Sequence, residues 1–365
     1  MEYSKSTKTI KQFQKQRFRY KLEVRMVSLK TIAQKCGVST ATVSKALNDQ
    51  KDISEETKNR IRKTAESLGY FPNAAARALK TNRSHNLGVL FEEEAGRGLT
   101  HEYFSGVLNG LKVQAEKLDY DITFINTCFE NRKMSYYEHC RYRNFEGVVI
   151  VCANFDEPDV IELMNSEIPV VTIDYVHHNC TAVTSNNIQG MEDLVKYIYS
   201  QGHRKIAYIH GQEGSSVTRD RLASFYRTID ELGLEIPDTY VRSADYLETK
   251  GSAKQTKELL NLEDPPTCII YPDDTSLIGG RNVIIEMGLR IPRDISVAGY
   301  DGTMISQLLY PKLTTIRQNT EIIGSEAAIR LVGTIEKPRT TLVERVVIEG
   351  SLVPGQSVGA IQPKE

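Results

Sequence analysis

The amino-acid sequence predicts an α/β protein that carries a small helical module ahead of its main body. Residues 29–47 have the apolar spacing of two short helices joined by a tight turn. From Asn86 onward, apolar strands alternate with amphipathic helices, as in βα units wound on parallel sheets. The predicted strands are too many for one small sheet, so we expect two Rossmann-like subdomains, with the chain crossing between them near residues 187, 318 and 337.

The first two helices form a helix-turn-helix pattern. Gly37 separates the two periodic runs, where a sharp turn can use a positive φ. Ser39 follows as the candidate N-cap of the second helix. The apolar residues expected in the shared core are Leu29, Ile32, Ala33, Val38, Val43 and Leu47. The second helix presents small, polar or basic side chains, as entry into a major groove requires, and these are Thr40, Ala41, Thr42, Ser44 and Lys45.

A third helix is predicted over residues 53–69. Ser54 is its candidate N-cap, and the acidic Glu55 and Glu56 suit the positive end of the helix dipole. Gly69 ends the helix. Its apolar stripe completes a three-helix core and consists of Ile61, Ala65 and Leu68.

Charge is distributed unevenly along the chain, although the formal net charge is only −1. Residues 1–85 hold 19 Lys and Arg against 7 Asp and Glu, whereas the remaining residues hold 27 against 40. A basic front on an acidic body is typical of nucleic-acid binding confined to one end. A basic face that is merely solvated is the alternative, and the coinciding helix-turn-helix pattern favours nucleic acid.

The segments on either side of the three helices have no core of their own. The first 25 residues are basic with few apolar anchors, so they form either a disordered arm that adds phosphate contacts or a segment foreign to the natural protein. Residues 70–84 combine Pro72, a candidate cap at Asn73 and the run AAARALK. So short a helix is marginal in water, and we expect it to fold when DNA or a second subunit packs against it.

The body contains the candidate pocket. Its strands are predicted at residues 86–91, 121–126, 146–151, 169–174, 182–186, 205–211, 267–272 and 295–301. Its helices are predicted near residues 103–118, 131–143, 156–165, 217–233, 250–261 and 275–287. Ligands of such sheets bind beyond the carboxyl ends of the strands, here in a cleft between the two subdomains.

Polar residues at those strand ends are therefore the candidates for ligand binding, and they are Asn126, Asp174, Asp273, Asp274 and Asp301. Carboxylates accept hydrogen bonds from paired hydroxyls, so they suit a polyol such as a sugar. Arg221 adds a rigid donor fork, and Tyr103 and Tyr246 add flat apolar faces. Each strand-end aspartate has an alternative role, which is to cap the helix that follows.

Several function classes lack their usual signals. No G-x-G-x-x-G opens the first helix of the body, and no Walker A, H-E-x-x-H or G-x-S-x-G motif occurs, so we expect neither a cofactor nor catalysis. The six cysteines are scattered without a C-x-x-C pair, which favours idle thiols in a reducing cytoplasm over a metal site. No apolar run is long enough for a membrane span, and the N-terminus does not read as a signal peptide.

Several stretches together resemble one known family. TIAQKCGVSTATVSKALND, ISEETKNRI and LGYFPNAAARALKTNRSHNLGVLF are similar to the head of a LacI/GalR-type transcriptional regulator. The similarity continues through QGHRKIAYIHG, RLASF, MGLRIPRDISVAGYDG and LTTIRQ, and it spans residues 28 to about 350. It implies a helix-turn-helix DNA-binding domain followed by a two-subdomain effector domain that is similar to type I periplasmic binding proteins.

On this resemblance we expect a basic extension over residues 1–25, a DNA-binding domain over 26–72, a hinge helix and linker over 73–85, and an effector-binding and dimerisation domain over 86–365. Met26 lies just ahead of the family's usual first domain, which makes it a candidate start of translation. The lone His203 is implied to stand in a structural turn before a strand.

For DNA, the resemblance implies that two hinge helices lie in the minor groove, with Leu79 wedged between base pairs. Packing of Leu79 on the body is the alternative. Thr40, Ala41 and Lys45 match the specificity positions of the recognition helix. The family usually has Arg at the site of Lys45, and Lys lacks the bidentate fork, so we expect a half-site that departs from the common family operator. The predicted DNA contacts are Thr31, Ser39, Thr40, Ala41, Thr42, Ser44, Lys45, Asn48, Asn73, Ala76, Arg77, Leu79 and Lys80.

For the cleft, the resemblance implies effector contacts at Arg221, Asp174 and Asp301, and aromatic positions at Tyr103 and Tyr246. Asp273 stands where many relatives have Asn. The complete predicted effector set is Tyr103, Asn126, Asp174, Arg221, Tyr246, Asp273 and Asp301.

We therefore expect a homodimeric cytoplasmic repressor that binds a near-palindromic double-stranded operator under the control of a small molecule, by default a sugar. No cofactor, metal or membrane is expected to take part. The alternative is a sugar-binding receptor of the periplasmic-binding type without a transcriptional role. Such a receptor would need an export signal and would have no use for residues 28–82.

Overall fold

The computed structural model describes residues 27–71, 78, 81–92, 96, 98–129 and 132–361. The chain divides into two compact units, of which the first ends at Arg83 and the second begins at Ser84. Some predictions lie outside the described residues: the extension over residues 1–25, the candidate start Met26, and the hinge contacts Asn73, Ala76, Arg77, Leu79 and Lys80.

The first unit contains the three predicted helices, α1 (Leu29–Cys36), α2 (Thr40–Leu47) and α3 (Glu55–Ser67). Each begins at a serine whose hydroxyl accepts a backbone N–H three residues on, and these caps are Ser28, Ser39 and Ser54. Gly37 ends α1 with a φ of 66°, the left-handed conformation that favours glycine. Ile32, Val43 and Ile61 meet in the core, one from each helix. The predicted helix-turn-helix and its third supporting helix are confirmed.

The loop from α2 to α3 is held by ions as well as by this core. Asp49 has a φ of 57° and pairs with Lys58 at 3.0 Å and with Arg62 at 2.8 Å. Lys58 also contacts Glu55 at 2.7 Å. Asp49 therefore anchors the end of α2 to α3.

The second unit consists of strands and helices in alternation. Its strands are β1 (Asn86–Phe91), β2 (Asp121–Phe124), β3 (Cys128–Phe129), β4 (Arg132–Lys133), β5 (Gly147–Cys152), β6 (Val170–Ile173), β7 (Thr181–Ser185), β8 (Ile206–His210), β9 (Val241–Ser243), β10 (Cys268–Ile270), β11 (Ser296–Ala298), β12 (Thr315–Arg317), β13 (Arg345–Ile348) and β14 (Ser351–Val353). Its helices are α4 (Glu102–Lys117), α5 (Tyr136–Arg143), α6 (Pro158–Met164), α7 (Asn187–Ser200), α8 (Ser216–Glu231), α9 (Thr249–Leu260), α10 (Asp274–Glu286), α11 (Met304–Leu308) and α12 (Thr320–Glu336). None of the helices that the structure describes is both long and apolar enough to cross a bilayer.

Two parallel sheets organise this unit, as the sequence predicts. The first has the strand order β13-β7-β6-β5-β1-β2, and the second has the order β11-β10-β8-β9. Alternating residues of β1 point to opposite faces, with Leu87 in the core under α4 and α12 and Leu90 in the core under α5 and α6. The strands β12 and β14 pair antiparallel in a small separate sheet.

The chain passes between the two subdomains three times, and the small sheet of β12 and β14 packs with the second subdomain. The first two crossings, after β7 and after β12, agree with the predicted positions near 187 and 318. The predicted third crossing near 337 is wrong, because β13 at residues 345–348 still belongs to the first sheet. The chain leaves that sheet only at residues 349–350, before β14. The sequence prediction also omits α7 and α12.

Two helices of the first subdomain pack unusually closely through glycine. Gly110 of α4 faces the backbone of Glu321, and a Cβ there would lie 2.1 Å from the carbonyl oxygen. Gly324 of α12 faces Val107, and a Cβ there would lie 1.9 Å from its carbonyl oxygen. The two backbones are therefore in contact, and only glycine fits at these positions.

Gly324→Ala should destabilise the protein, because its methyl group must push α12 away from α4. Overpacking of this kind costs ~1–3 kcal/mol of unfolding free energy, measurable by urea denaturation. Gly333→Ala in the same helix is the matched control. A Cβ there meets nothing within 4 Å, so the substitution should be neutral or stabilising by ~0.5–1 kcal/mol. Equal effects of the two substitutions would contradict the close contact.

Candidate functional site

The outer surface of α2 is the candidate DNA-reading surface. Ser39 accepts the backbone N–H of Thr42 at 3.0 Å, and the two hydroxyl oxygens lie 2.8 Å apart. These two side chains therefore fix the start of the helix. The residues predicted to reach bases at Thr40, Ala41 and Lys45 are exposed. The DNA-binding surface predicted for α2 is thus open to a partner.

The other predicted contacts in this unit have local roles as well. The Thr31 hydroxyl lies 3.1 Å from that of Ser28, the cap of α1. The Asn48 amide donates to the Ser44 carbonyl at 2.6 Å and closes the end of α2. Thr31 and Asn48 are therefore exposed residues whose polar groups also satisfy helix ends.

Lys45 has an unexpected partner. Its ammonium group donates to the carboxylate of Asp52 in the loop before α3. This hydrogen bond lowers the pKa of Asp52. No feature of the sequence had singled out Asp52.

A cleft of about 840 Å³ lies within the second unit. It is lined by groups from both sheets, so it is the candidate ligand site. Six of the seven predicted effector contacts line it: Tyr103, Asp174, Arg221, Tyr246, Asp273 and Asp301. Asn126 does not line the cleft. It is exposed at the end of β2, where its backbone N–H lies 3.5 Å from Nδ1 of His139.

On the first subdomain, Asp174 is the central group of the cleft wall. It follows β6 and accepts hydrogen bonds from the Tyr103 hydroxyl and, at 2.7 Å, from the Ser185 backbone N–H. Burial raises the pKa of Asp174, while these two hydrogen bonds lower it. Its φ of 52° is unusual for a non-glycine residue, and this backbone conformation sets the direction of the carboxylate.

On the second subdomain, Asp301 has the corresponding place after β11. It also has a positive φ, of 94°. Its carboxylate accepts the Gln318 amide N–H at 2.6 Å, and the Gln318 carbonyl in turn accepts the Ser185 hydroxyl. Ser185 belongs to the first sheet, so this chain of hydrogen bonds links the two subdomains at the cleft.

Arg221, which contacts Asp301, is almost fully buried. Its Nε donates to Asn187 Oδ1 at 2.8 Å, and Nη1 donates to the Pro272 carbonyl at 3.0 Å. Its guanidinium carbon lies 3.5 Å from the centre of the Tyr300 ring, and Nη2 lies 3.8 Å from Asp301. These contacts hold the donor fork rigid in one orientation.

Asp273 illustrates the alternative role of strand-end aspartates. It is the N-cap of α10 and accepts from the backbone N–H of Ser276 at 2.7 Å and from its hydroxyl at 2.6 Å. The Leu247 N–H donates to the second oxygen at 2.8 Å. Asp273 lines the cleft, yet both of its oxygens already have protein donors.

Asp274, next in sequence, is also a buried acceptor. Its oxygens accept from the backbone N–H of Thr303 at 2.8 Å and from the hydroxyl of Thr315 at 2.8 Å. It does not line the cleft, and it joins α10 to the segment that follows β11.

Aromatic rings complete the cleft. The Tyr246 hydroxyl lies 2.8 Å from that of Thr218, and its ring is so close to Gly211 that a Cβ there would lie 2.1 Å away. Phe155 and Tyr175 stack face to face, 3.9 Å apart. Rings beside fixed donors and acceptors suit a ligand with both apolar and hydroxyl-bearing faces.

Sequence reasoning missed several lining residues. Gln318, Arg219, Arg345, Phe155 and Tyr175 all line the cleft. Gln318 could have been found, because it ends the family-like motif LTTIRQ. Arg345 could not, because β13 was not predicted.

Neither the lone histidine singled out in the sequence nor the described acidic and sulfur side chains form a further site. His203 is buried before β8, 2.9 Å from the Thr267 hydroxyl and 3.1 Å from the Gly359 carbonyl, which agrees with its implied structural role. Across the residues that are described, no three His, Cys, Asp or Glu side chains gather as a metal site would require.

Each of the two units matches a known protein family model. The family model of bacterial regulatory proteins of the lacI family matches residues 28–73. The model of a periplasmic binding protein-like domain matches residues 195–358. The probable HTH-type transcriptional repressor ExuR of Bacillus subtilis is 30% identical over 318 residues, which are 86% of this chain and 93% of that protein. The HTH-type transcriptional repressor PurR of an Escherichia coli O139:H28 strain is 27% identical over 333 residues, 89% of this chain and 96% of that protein.

Solved structures share the fold. The lac repressor dimer bound to operator and the anti-inducer ONPF has a TM-score of 0.76 at 24% identity, covering 92% of this chain and all of that one. The transcriptional regulator CelR in complex with cellobiose has a TM-score of 0.66 at 24% identity, covering 91% of this chain and 99% of that one.

Stability of the second unit should depend on pH through two buried carboxyl groups. Burial raises the pKa of Asp301 to about 6 and that of Asp274 to about 8, from an ordinary value of 3.8. Each carboxyl group therefore binds its proton more tightly in the folded protein than in the unfolded chain. The unfolding free energy should therefore fall as the pH rises from about 4 to about 8.

Asp274→Asn tests the alkaline part of this effect, because asparagine is neutral at every pH. The variant should lose the decrease in unfolding free energy between about pH 6 and 8 that the unsubstituted protein shows in urea denaturation. Parallel curves for the two proteins over that range would contradict the raised pKa of Asp274.

Proposed function

Because this chain belongs to the LacI family of bacterial regulatory proteins, and is a DNA-binding transcriptional regulator, we propose that it is a repressor whose operator affinity is set by a sugar bound in the cleft. We assign DNA reading to residues 26–72, the hinge to residues 73–85, and effector binding and dimerisation to residues 86–365. The operator is near-palindromic double-stranded DNA, and the protein acts in the cytoplasm.

The observation that carries this proposal is the hydrogen-bonded link across the cleft. Asp174 on one subdomain and Asp301 on the other are joined through Ser185 and Gln318. A ligand whose hydroxyls donate to both carboxylates competes with the link, so its binding depends on how far the cleft is closed. Such differential affinity is what lets a ligand shift a conformational equilibrium, typically by ~1–3 kcal/mol.

Two observations support a sugar as the ligand: the side chains that line the cleft, and the ligands bound in solved structures of similar regulators. The cleft offers carboxylate acceptors, the guanidinium groups of Arg219, Arg221 and Arg345, and several aromatic rings. CelR is solved with cellobiose, and a LacI family regulator from Enterococcus faecium with ribose. We propose that closure changes the spacing of two hinge segments in a dimer and thereby their capacity to fold on DNA.

The alternative, a sugar receptor without a transcriptional role, would use the same cleft. The capped three-helix unit and its basic charge favour the regulator, since a receptor has no need for an exposed helix of this kind.

A thermal-shift screen of sugars and sugar phosphates should yield a ligand that raises the melting temperature and changes operator affinity. Asp301→Asn should weaken that ligand at least ~10-fold, because hydrogen bonds to charged groups are worth ~1.5–3 kcal/mol. Asp238→Asn, an exposed acid of the same unit, is the control and should bind normally. The proposal fails if the full-length protein shows no salt-sensitive affinity for any operator-like duplex, with or without sugars.

We assign self-association to the exposed apolar face formed by α10, α11 and the residues just after α11. Its members are Ile285, Met304, Leu308 and Tyr310, all at least half exposed. Arg281 of α10 donates to the Tyr310 carbonyl at 3.2 Å, which ties the two parts of the face together. An apolar face of this kind suits a two-fold contact with a second copy.

Leu308→Asp should weaken the dimer at least ~30-fold, the effect of losing an interface residue worth ~2 kcal/mol, as measured by sedimentation. Operator affinity should fall with it. Leu342→Asp is the control, because Leu342 is equally exposed, at 80% against 74%, but precedes β13 on the other sheet. If Leu342→Asp disrupted the dimer and Leu308→Asp did not, the interface would lie at the edge strand β13 instead.

A further inference from the structure

His85 lies near the start of the second unit, one residue ahead of β1. In the first sheet, β1 lies between β5 and β2. On the β5 side, the backbone N–H of His85 donates to the Glu146 carboxylate at 2.7 Å. On the β2 side, the His85 carbonyl accepts from the backbone N–H of Asp121 at 2.9 Å. Both backbone polar groups of His85 are therefore held by residues of the neighbouring strands.

The backbone of His85 has a left-handed conformation, with a φ of 50°. Such a conformation is disfavoured for a residue with a Cβ, so the surrounding contacts must stabilise it. A hydrogen bond to a carboxylate is stronger than one to a neutral acceptor, which makes the bond from His85 to Glu146 a large part of this support. Glu146 therefore helps to set the direction in which the chain enters β1.

Glu146 is also tied to the end of α12. The hydroxyl of the buried Tyr120 lies 3.2 Å from the Glu146 carboxylate and 2.9 Å from that of Glu336, the last residue of α12. The Tyr120 ring also packs against the His85 imidazole, with 5.2 Å between the ring centres. These four side chains form one contiguous group, which we call the linker seat: His85, Tyr120, Glu146 and Glu336.

The other end of α12 adjoins the cleft. The helix begins at Thr320, two residues after Gln318, whose side chain completes the link between Ser185 and Asp301. With 17 residues, α12 spans about 25 Å. Its backbone touches that of α4 at Gly324, so it cannot bend or slide there without disrupting close packing. A rigid helix thus runs from the cleft to the linker seat.

We propose that Glu146 is a positioning residue of the DNA response, because it fixes His85 to the end of α12. A change in the cleft at Gln318 then alters the direction in which the linker, residues 73–85, leaves the first subdomain. This inference rests on the proposed function, in which the cleft controls operator affinity. Coupling between distant sites is carried by rigid elements and by the contacts at their ends. Without the Glu146 carboxylate, α12 still moves with the cleft, but His85 no longer follows it.

A double-substitution cycle tests this path without a known sugar, because Gln318→Ala removes the link across the cleft. The measurement uses the full-length chain and a duplex that the protein selects from a randomised pool. In the otherwise unsubstituted protein, Gln318→Ala should change affinity for this duplex at least about fivefold, the lower end of the range for coupled sites. In a Glu146→Ala background, Gln318→Ala should change it less than about twofold.

Three further backgrounds show whether the hydrogen bonds of the seat carry the effect of Gln318→Ala. Glu146→Gln keeps an oxygen that can accept from the His85 N–H, so it should restore most of the effect. Asp121→Ala removes an exposed carboxylate on the other side of His85 but keeps the backbone N–H, so the full effect should remain. Tyr120→Phe keeps the packed ring and removes only the hydroxyl, and it should at least halve the effect. This variant replaces Glu146→Ala if urea denaturation shows that Glu146→Ala does not fold.

The inference is overturned if Gln318→Ala changes duplex affinity by the same factor with and without the Glu146 carboxylate. It is also overturned if Asp121→Ala abolishes the effect as fully as Glu146→Ala does, or if Glu146→Gln restores none of it. The proposed function fails in a different way. If Gln318→Ala has no effect in the otherwise unsubstituted protein, or if no duplex is selected, then the cleft does not control operator binding, and this inference falls with it.

Discussion

The side chain of Gln318 is the polar joint on which the geometry of the cleft depends. Its carbonyl oxygen accepts from Ser185 at the end of the first sheet, and its amide nitrogen donates to Asp301 after the second. An amide has one accepting end and one donating end, so Gln318 can bond to both sheets at once and fix their relative position. Asp301 and Asp174, on either side of it, both have a positive φ. This backbone conformation is strained for a non-glycine residue, so the surrounding contacts must stabilise it.

Neighbouring helices pack closely within each of the two subdomains. Backbone touches backbone where α4 meets α12 at Gly110 and Gly324. In the second subdomain, a Cβ at Gly279 of α10 would lie 1.8 Å from the Thr249 carbonyl of α9. Close-packed bodies joined by a few hydrogen bonds favour rigid-body movement over internal deformation. We therefore propose that a ligand bound in the cleft acts on the angle between the subdomains.

Both candidate sites hold their polar groups in internal bonds. Asp301 is engaged by Gln318, and Lys45 by Asp52. A partner must replace these bonds with others at least as good, and only a partner of matching geometry can do so.

The sequence by itself determined the features that depend on nearby residues. The turn at Gly37, the serine caps and the alternation of strands with helices follow from local conformational preference and periodicity. It also determined the cleft residues Asp174, Asp273 and Asp301, because the carboxyl ends of parallel strands meet at one edge of a sheet. The other three predicted residues that line the cleft were chosen for their side-chain chemistry and from the family resemblance, and they are Tyr103, Arg221 and Tyr246. Tertiary structure decided the rest. Asn126 is excluded because β2 is the edge strand of the first sheet, one strand beyond the cleft.

The third crossing, the joint at Gln318 and the partner of Lys45 were likewise decided by tertiary structure. Each pairs residues or strands that come together only when the chain folds back: β13 with β7, Ser185 with Gln318, and Lys45 with Asp52. Local preference is encoded in neighbouring residues and can be read from them. The choice among distant partners is made by packing of the whole unit, and no short stretch of sequence contains it.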